Sequence, residues 1–180
     1  MTPHRMLSLL MPRARASFLA FFPAGLGLLA GCTGTMPPSI GHSLIGNPAP
    51  EFHEMATSDR DVGLPGSPRT RVTVVDFWAS WCVGCQESIP ALNDLYNDKR
   101  DDGVMVIGVS VDESADDALL LAQHLHAKFP IVLDPHMRIA GNFRVGNIPL
   151  TFVVDRKGIV RWIGRDPGEA RRAVNVVLAE

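Results

Sequence analysis

From residue 72 onward, short apolar runs rich in β-branched residues alternate with amphipathic stretches. The runs at 72–77 and 104–111 are hydrophobic at nearly every position, which is typical of strands buried on both faces. Residues 131–133 form a third, shorter strand candidate. Residues 151–154 and 159–163 flank the sequence Asp-Arg-Lys-Gly, and this pattern predicts a β-hairpin.

Three amphipathic stretches predict helices between and after these strands. The first begins near Cys82 and continues through residues 90–97. The second begins at Ser114, whose side chain can cap a helix that has Asp117 three residues further on. The last begins at Asp166, which is followed by proline at the first helical position. This order of strands and helices predicts an α/β sandwich built on one mixed sheet.

The chain begins with a basic segment followed by an apolar run. Residues 1–31 contain three arginines and no acid, although the 180-residue chain as a whole has a net charge of −2. The apolar run at 16–29 is shorter than the roughly 20 residues that span a bilayer, and Pro23 interrupts it. This arrangement favours a cleaved export signal over an N-terminal membrane anchor, which is the alternative.

The apolar run ends in the sequence Leu-Ala-Gly-Cys at residues 29–32, which resembles the lipobox of bacterial lipoproteins. The resemblance implies that Cys32 is lipidated and becomes the first residue of the mature chain, and several acyl chains would hold it on a membrane. An ordinary signal with an incidental Cys32 is the alternative. Gly, Pro and Ser residues then predict a flexible tether over 32–45, and the folded domain follows over 46–180.

Composition and charge exclude several classes of protein. A chain that is 46% hydrophobic and 20% charged is neither wholly disordered nor a coiled coil. Without a strongly basic block, a nucleic-acid partner is not expected. No metal site is expected either, because the histidines after Cys32 are not spaced as ligands and are predicted to lie at the surface; they are His42, His53, His124, His126 and His136.

The most informative segment is a Cys-x-x-Cys pair, Cys82 and Cys85, between a predicted strand and a predicted helix. With the Trp before the pair and the Asn-Ile-Pro-Leu-Thr-Phe sequence at 147–152, it resembles the thioredoxin superfamily over most of residues 46–180. Within that superfamily the chain is similar to the envelope-anchored thiol–disulfide oxidoreductases of the TlpA and ResA type. The Val-Ser-Val-Asp sequence at 109–112 is similar to the redoxin branch with its AhpC/TSA-like domain. The resemblance implies a thioredoxin fold, a central mixed sheet flanked by helices on both faces.

The spacing of the two cysteines suits disulfide exchange. A helix N-terminus stabilises the Cys82 thiolate and lowers its pKa from about 8.5 towards the range of roughly 3.5–7.5. One helical turn brings the Cys85 sulfur within reach, so Cys82 forms the mixed disulfide with a client and Cys85 resolves it. No bound cofactor is expected, since the cysteines are themselves the redox centre.

The resemblance implies roles for four further residues. Pro149 would be cis and face the pair, which lets Ile148 bind a client strand beside Trp81. Asp76 would be a buried acid that accepts the proton of Cys85. The alternatives are an Asp76 in water at a strand edge, an ordinary trans Pro149, and a Trp81 that fills the core.

Other kinds of chemistry fit the cysteine pair less well. Haem attachment needs a His where the chain has Gln86, and zinc needs two further ligands. An inert disulfide would close a very short loop, and the residues before Cys82 do not match a peroxidase. A copper-handling protein of the same fold is the main alternative, because a close cysteine pair binds Cu(I).

The sequence therefore predicts thiol–disulfide exchange on exported proteins. Reduction is favoured over oxidation, because Val83 and Gly84 between the cysteines offer no group that stabilises the thiolate. The expected partners are cysteine-containing exported client proteins, a membrane thiol electron donor, and the membrane itself through a lipid on Cys32. The expected location is the bacterial cell envelope, with the domain facing the periplasm or the outer face of the membrane.

Overall fold

A computed structural model describes residues 34–180. It contains two β-sheets and four α-helices within this range. In chain order the elements are β1 (Phe52–Met55), β2 (Asp61–Leu64), β3 (Val72–Trp78), α1 (Val83–Lys99), β4 (Val104–Ser110), α2 (Ala115–His124), β5 (Ile131–Leu133), α3 (Arg138–Asn142), β6 (Leu150–Asp155), β7 (Val160–Gly164) and α4 (Pro167–Leu178). Among the described residues, no helix has the length and apolar composition to cross a bilayer.

The five-stranded sheet has the order β5-β4-β3-β6-β7, and its central strand β3 is buried at every position. Strand β3 is parallel to β4 and antiparallel to β6, so the sheet is mixed as the sequence predicted. In this register Asp76 lies beside Gly108 on one side and beside Thr151 on the other. The hairpin of β6 and β7 and the helix caps at Cys82, Ser114 and Asp166 are also confirmed.

Helices cover both faces of the sheet. On one face Asn93 of α1 donates hydrogen bonds to the backbone just after α2, and α4 joins the same layer through the ion pair of Arg171 with Asp98 of α1. On the other face Phe143, which follows α3, packs against Phe77 at a ring-centroid distance of 5.2 Å. The fold class predicted from the sequence is therefore confirmed.

Asp76 faces the layer that contains α1. Successive side chains of a strand point to opposite faces, so Asp76 and Trp78 lie on the face opposite Phe77. The space over Gly108, beside Asp76, is filled by the Trp78 indole and by the ring of Phe129, which follows α2. The carboxyl group of Asp76 is thus enclosed between the sheet and the helices, beneath the helix that begins at the cysteine pair.

The segment before β1 lies along the edge strand β7. The sequence predicted a flexible tether over 32–45, but from Pro38 onward the backbone is bonded to the domain. The indole of Trp162 donates to the Pro38 carbonyl oxygen at 2.8 Å, and the amide of Ile40 donates to the Ile163 carbonyl oxygen at 2.9 Å. An edge strand carries unpaired backbone groups, and this segment supplies partners for them.

One histidine departs from the expected surface position. The ring of His42 is half-buried and meets Phe152 edge-on at a centroid distance of 5.5 Å, because its segment folds back onto the sheet. The other four histidines after Cys32 are exposed, as predicted. Cys32 and the export-signal segment 1–31 lie outside the described residues.

Candidate active site

The two cysteines form a disulfide at the N-terminus of α1. The Cα atoms of Cys82 and Cys85 are 5.2 Å apart, and Cys82 is the N-cap residue of the helix. Its sulfur accepts a hydrogen bond from the Cys85 amide at 3.3 Å. Cys85 is fully buried, whereas Cys82 keeps 8% of its surface exposed. Of the two cysteines, only Cys82 therefore keeps surface that solvent can reach.

The loop before β6 lies against the turn between the cysteines. The Ile148–Pro149 peptide bond is cis, as the resemblance implied. A Cβ atom built on Gly84 would lie 3.5 Å from Cδ of Pro149, so the proline ring is in contact with this turn. Arg165, which follows β7, donates a hydrogen bond of 2.9 Å to the Pro149 carbonyl oxygen. This last contact was not predicted, because no local sequence pattern relates Arg165 to Pro149.

Two exposed apolar side chains flank Cys82 in the sequence. Trp81 is 68% exposed and Val83 is 72% exposed, although both are large hydrophobic residues. Trp81 is therefore not core filler, whereas Trp78, three residues earlier, is fully buried. Exposed apolar surface next to a reactive group indicates a place where a partner binds.

Asp76 is fully buried, so the interpretation of a solvated strand-edge carboxylate is wrong. The hydroxyl of Thr151 donates a hydrogen bond of 2.7 Å to Oδ1 of Asp76. The second oxygen, Oδ2, has no hydrogen-bond partner among the described residues. Burial raises the pKa of Asp76 from 3.8 to about 7, and the bond from Thr151 acts in the opposite direction.

A second buried carboxylate holds the loop that leads to the pair. The backbone amide of Ser80 donates to both oxygens of Asp112, at 3.0 and 2.9 Å, and the Ser80 hydroxyl donates to Oδ1 at 2.7 Å. The hydroxyl of Ser110 donates to Oδ2 at 2.8 Å. In the sequence, Asp112 is recognisable only as part of the redoxin-like Val-Ser-Val-Asp segment. Its position could have been inferred, because β3 and β4 are parallel neighbours and their carboxyl ends lie at one edge of the sheet.

A cleft of about 760 Å³ opens beside Trp81. Its lining combines apolar side chains with carboxylates and contains no Lys, Arg or His among the described residues. The side chains that matter here are those of Trp81, Ile148, Met137, Asp112, Glu113 and Asp117. Two of the residues that line the cleft, Trp81 and Ile148, are those for which the family resemblance implied a role in client binding.

A metal centre is not evident in the part of the chain that the structure describes. Within residues 34–180, no group of three or more His, Cys, Asp or Glu side chains is arranged to hold a metal ion. The cysteine pair is therefore not part of such a group within these residues.

Comparisons with curated proteins point to the same chemistry. The chain is 30% identical over 126 residues to thiol-disulfide oxidoreductase ResA of Geobacillus kaustophilus, across 66% of this chain and 68% of that protein. It is 32% identical over 126 residues to thiol:disulfide interchange protein DsbE of Xylella fastidiosa, across 67% of this chain and 60% of that protein. Neither relative gives support to the copper-handling alternative.

Solved structures agree with this assignment. A Chlorobium tepidum protein provisionally described as thiol:disulfide interchange protein DsbE is 28% identical, with a TM-score of 0.67 over 74% of this chain and 97% of that chain. A thioredoxin family protein of Chlorobium tepidum matches at 21% identity, with a TM-score of 0.64 over 73% of this chain and 95% of that chain, which shows the fold alone. The profile of the AhpC/TSA family matches residues 45–163, more than half of the sequence. The chain therefore belongs to the AhpC/TSA family and has the thioredoxin fold.

Proposed function

We propose that the chain is a thiol–disulfide oxidoreductase that reduces disulfides in cysteine-containing exported proteins. One observation carries this proposal: a disulfide lies at the N-terminus of α1, where Cys82 keeps a small exposed surface between the exposed side chains of Trp81 and Val83, and Cys85 is fully buried. The names of the relatives, thiol-disulfide oxidoreductase and thiol:disulfide interchange protein, describe the same chemistry.

The reaction takes place in two exchange steps. In the reduced protein the Cys82 thiolate attacks one sulfur of a client disulfide, a Cys82–client disulfide forms, and the other client sulfur leaves as a thiolate. Cys85 then loses its proton and attacks the Cys82 sulfur, which releases the second client thiol. The client gains two electrons, and the protein ends with the Cys82–Cys85 disulfide.

Burial supports different roles for the two cysteines. Cys82 is the attacking residue because it alone keeps some exposed surface and lies at the helix N-terminus, where unpaired amides stabilise a thiolate. Cys85 is the resolving residue because a client cannot reach it directly.

Asp76 is the proton acceptor for Cys85 in this proposal. It is a buried acid in the layer between the sheet and α1, and its pKa of about 7 lets it take up and release a proton near neutral pH. Its unpartnered Oδ2 is the atom available to receive the proton.

The client binds as an extended segment across Ile148, Pro149 and Trp81. Within residues 34–180, the backbone N–H and C=O of Ile148 have no hydrogen-bond partner, so both can pair with a client backbone. The exposed indole of Trp81 and the adjacent cleft then receive side chains that flank the client cysteine.

We also propose that the protein works and is re-reduced at a membrane. Each turnover leaves the pair oxidised, so a membrane thiol donor has to reduce it again. A lipid on Cys32 would keep the domain on the bacterial envelope membrane, facing the periplasm or the outer face, where such a donor and exported clients meet. The basis for this part is the sequence at residues 29–32 and the basic, apolar segment before it.

A trapping experiment tests the exchange chemistry. The parent protein reduces a disulfide-bonded model client such as insulin, while Cys85→Ser accumulates a mixed disulfide through Cys82, because the resolving thiol is missing. Cys82→Ser is the matched control and traps little client. Trapping mainly by Cys82→Ser would reverse the two roles, and a parent without reductase activity would contradict the proposed function.

A further inference from the structure

Every polar group of Ser80 takes part in a hydrogen bond. Its amide and hydroxyl donate to Asp112, and its carbonyl oxygen accepts a hydrogen bond of 3.1 Å from the side chain of Gln86 in α1. The amide of Val111, which directly follows β4, also donates a hydrogen bond of 2.9 Å to the Trp78 carbonyl oxygen. The loop that carries Trp81 and Cys82 is thus fixed to the end of β4.

The group that fixes this loop carries a charge. Three donor groups point at the Asp112 oxygens: the Ser80 amide, the Ser80 hydroxyl and the Ser110 hydroxyl. That arrangement suits an ionised carboxylate. Asp112 is almost fully buried, so its charge is only weakly screened by water. Two peptide units, at most about 8 Å of backbone, separate Ser80 from Cys82.

Other charged groups lie on several sides of the cysteine pair. On the cleft side Glu113 and Asp117 are also acids, and no cation lines the cleft in the described residues. Asp76 lies in the layer beneath and is half ionised near neutral pH. Arg165, which donates to the Pro149 carbonyl oxygen, is exposed to solvent, which screens its charge. Asp112 is therefore the buried carboxylate that contacts the loop directly.

We propose that Asp112 is a positioning residue for the redox pair, which holds the Cys82 loop in place and makes the Cys82 thiolate less stable through its negative charge. This inference rests on the proposed disulfide exchange, and it gives a physical reason why the protein favours reduction of its clients. A less stable thiolate makes the dithiol a stronger reductant, because the reduced form gains less from ionisation. The helix N-terminus and Asp112 thus act in opposite directions on Cys82.

Two substitutions distinguish the effect of the Asp112 charge from the effect of the hydrogen bond between Ser80 and Asp112. Asp112→Asn keeps the shape of the side chain and removes the charge, whereas Ser80→Ala keeps the charge and removes the shortest hydrogen bond. Asp116→Asn is the matched control, since it removes one exposed acid of α2 that is not part of the cleft. The pH dependence of Cys82 alkylation by iodoacetamide gives the thiol pKa, and equilibration with glutathione gives the reduction potential.

We expect Asp112→Asn to lower the pKa of the Cys82 thiol by up to about one unit, because it removes a buried negative charge that is bonded to the Cys82 loop. Its reduction potential becomes less negative in parallel. In Ser80→Ala the thiol pKa does not fall, yet client reduction slows severalfold because the loop is less well fixed. Asp116→Asn behaves as the parent.

Three results would overturn the inference. The first is an Asp112→Asn protein with lower thermal stability but unchanged thiol pKa and potential, which would leave Asp112 a structural role only. The second is a fall of the thiol pKa in Ser80→Ala, a result that decides the matter even if Asp112→Asn does not fold. The third is an equal shift in Asp116→Asn. Because alkylation needs no client, these results are independent of whether the parent reduces client disulfides, which tests the proposed function separately.

Discussion

The hydroxyl of Thr151 donates a 2.7 Å hydrogen bond to one oxygen of the buried Asp76, and the other oxygen has no partner among the residues described. The two residues lie opposite each other on β6 and β3. Burial disfavours the charged carboxylate, while the donated hydrogen bond favours it. The balance leaves the pKa of Asp76 at about 7, so the group changes its charge in the range where disulfide exchange has to work.

Thr151→Val should raise the pKa of Asp76 above its parent value, because the hydrogen bond that favours the charged form is lost while burial stays the same. The rate at which Cys85 releases a client from Cys82 then reaches its plateau at a higher pH. Stopped-flow kinetics that resolve the attack and release steps measure this shift.

Thr151→Ser keeps the hydroxyl and serves as the control with a parent-like profile. Asp76→Asn removes the titrating group, so we expect slow release at all pH values and nearly normal attack by Cys82. Superimposable release profiles for Thr151→Val and the parent would show that Thr151 does not tune this step. Equal release rates in Asp76→Asn and the parent would show that Asp76 is not the base.

Much of the framework could be predicted because its causes are local. The run of β-branched residues predicted β3, and the caps at Ser114 and Asp166 marked helix starts, since short polar side chains satisfy the first free amides. The polar residue in an apolar strand identified Asp76 as unusual. Each of these signals is contained in a few consecutive residues.

The contacts that could not be predicted join distant parts of the chain. Asp112 and Ser80 are 32 residues apart, and Arg165 and Pro149 are 16 residues apart. Such pairs depend on which strands become neighbours, and single-sequence patterns do not determine that. The same reason explains the segment from Pro38 onward, whose Gly and Pro content predicted a tether although its backbone pairs with β7.

The reduction potential of the pair should lie below that of the glutathione couple. No Lys, Arg or His occurs between residues 72 and 98, and Val83 and Gly84 offer no side-chain donor to the thiolate. We therefore expect a value nearer to the roughly −270 mV of thioredoxin than to the roughly −120 mV of strong oxidants. Equilibration with defined ratios of reduced and oxidised glutathione measures it, and a potential above the glutathione couple would contradict the reducing direction.

Cys32→Ala should release the protein from membranes or stop its processing, because the lipid-accepting sulfur is missing. Fractionation of cells that express the full chain, together with the apparent mass of the product, measures both effects. Cys82→Ser is a suitable control, since it changes another cysteine and leaves the signal region intact. Normal processing and unchanged membrane association of Cys32→Ala would remove the lipid anchor from the proposal.

The buried acid should also make the stability of the fold depend on pH. Asp76 has a pKa of about 7 in the folded protein and 3.8 as its ordinary value. Between these values the folded state binds more protons at this site than the unfolded state, so the free energy of unfolding falls as the pH rises. The loss begins near pH 4 and is complete somewhat above pH 7. A difference of about 3 units corresponds to at most about 4 kcal/mol.

Asp76→Asn removes this titrating group and keeps a side chain of the same shape. The variant should therefore lack the part of the pH dependence of unfolding that Asp76 causes in the parent. Relative to the parent, the variant should gain stability as the pH rises from 4 to 8, because a buried charge costs more than a buried amide that still accepts the hydrogen bond from Thr151. Urea unfolding of the disulfide form at pH 4, 6 and 8 measures the difference, with Asp116→Asn as a control for an exposed acid. A constant difference between parent and Asp76→Asn across this range would mean that Asp76 keeps its ordinary pKa despite its burial, and its role as the proton acceptor for Cys85 near neutral pH would then have no basis.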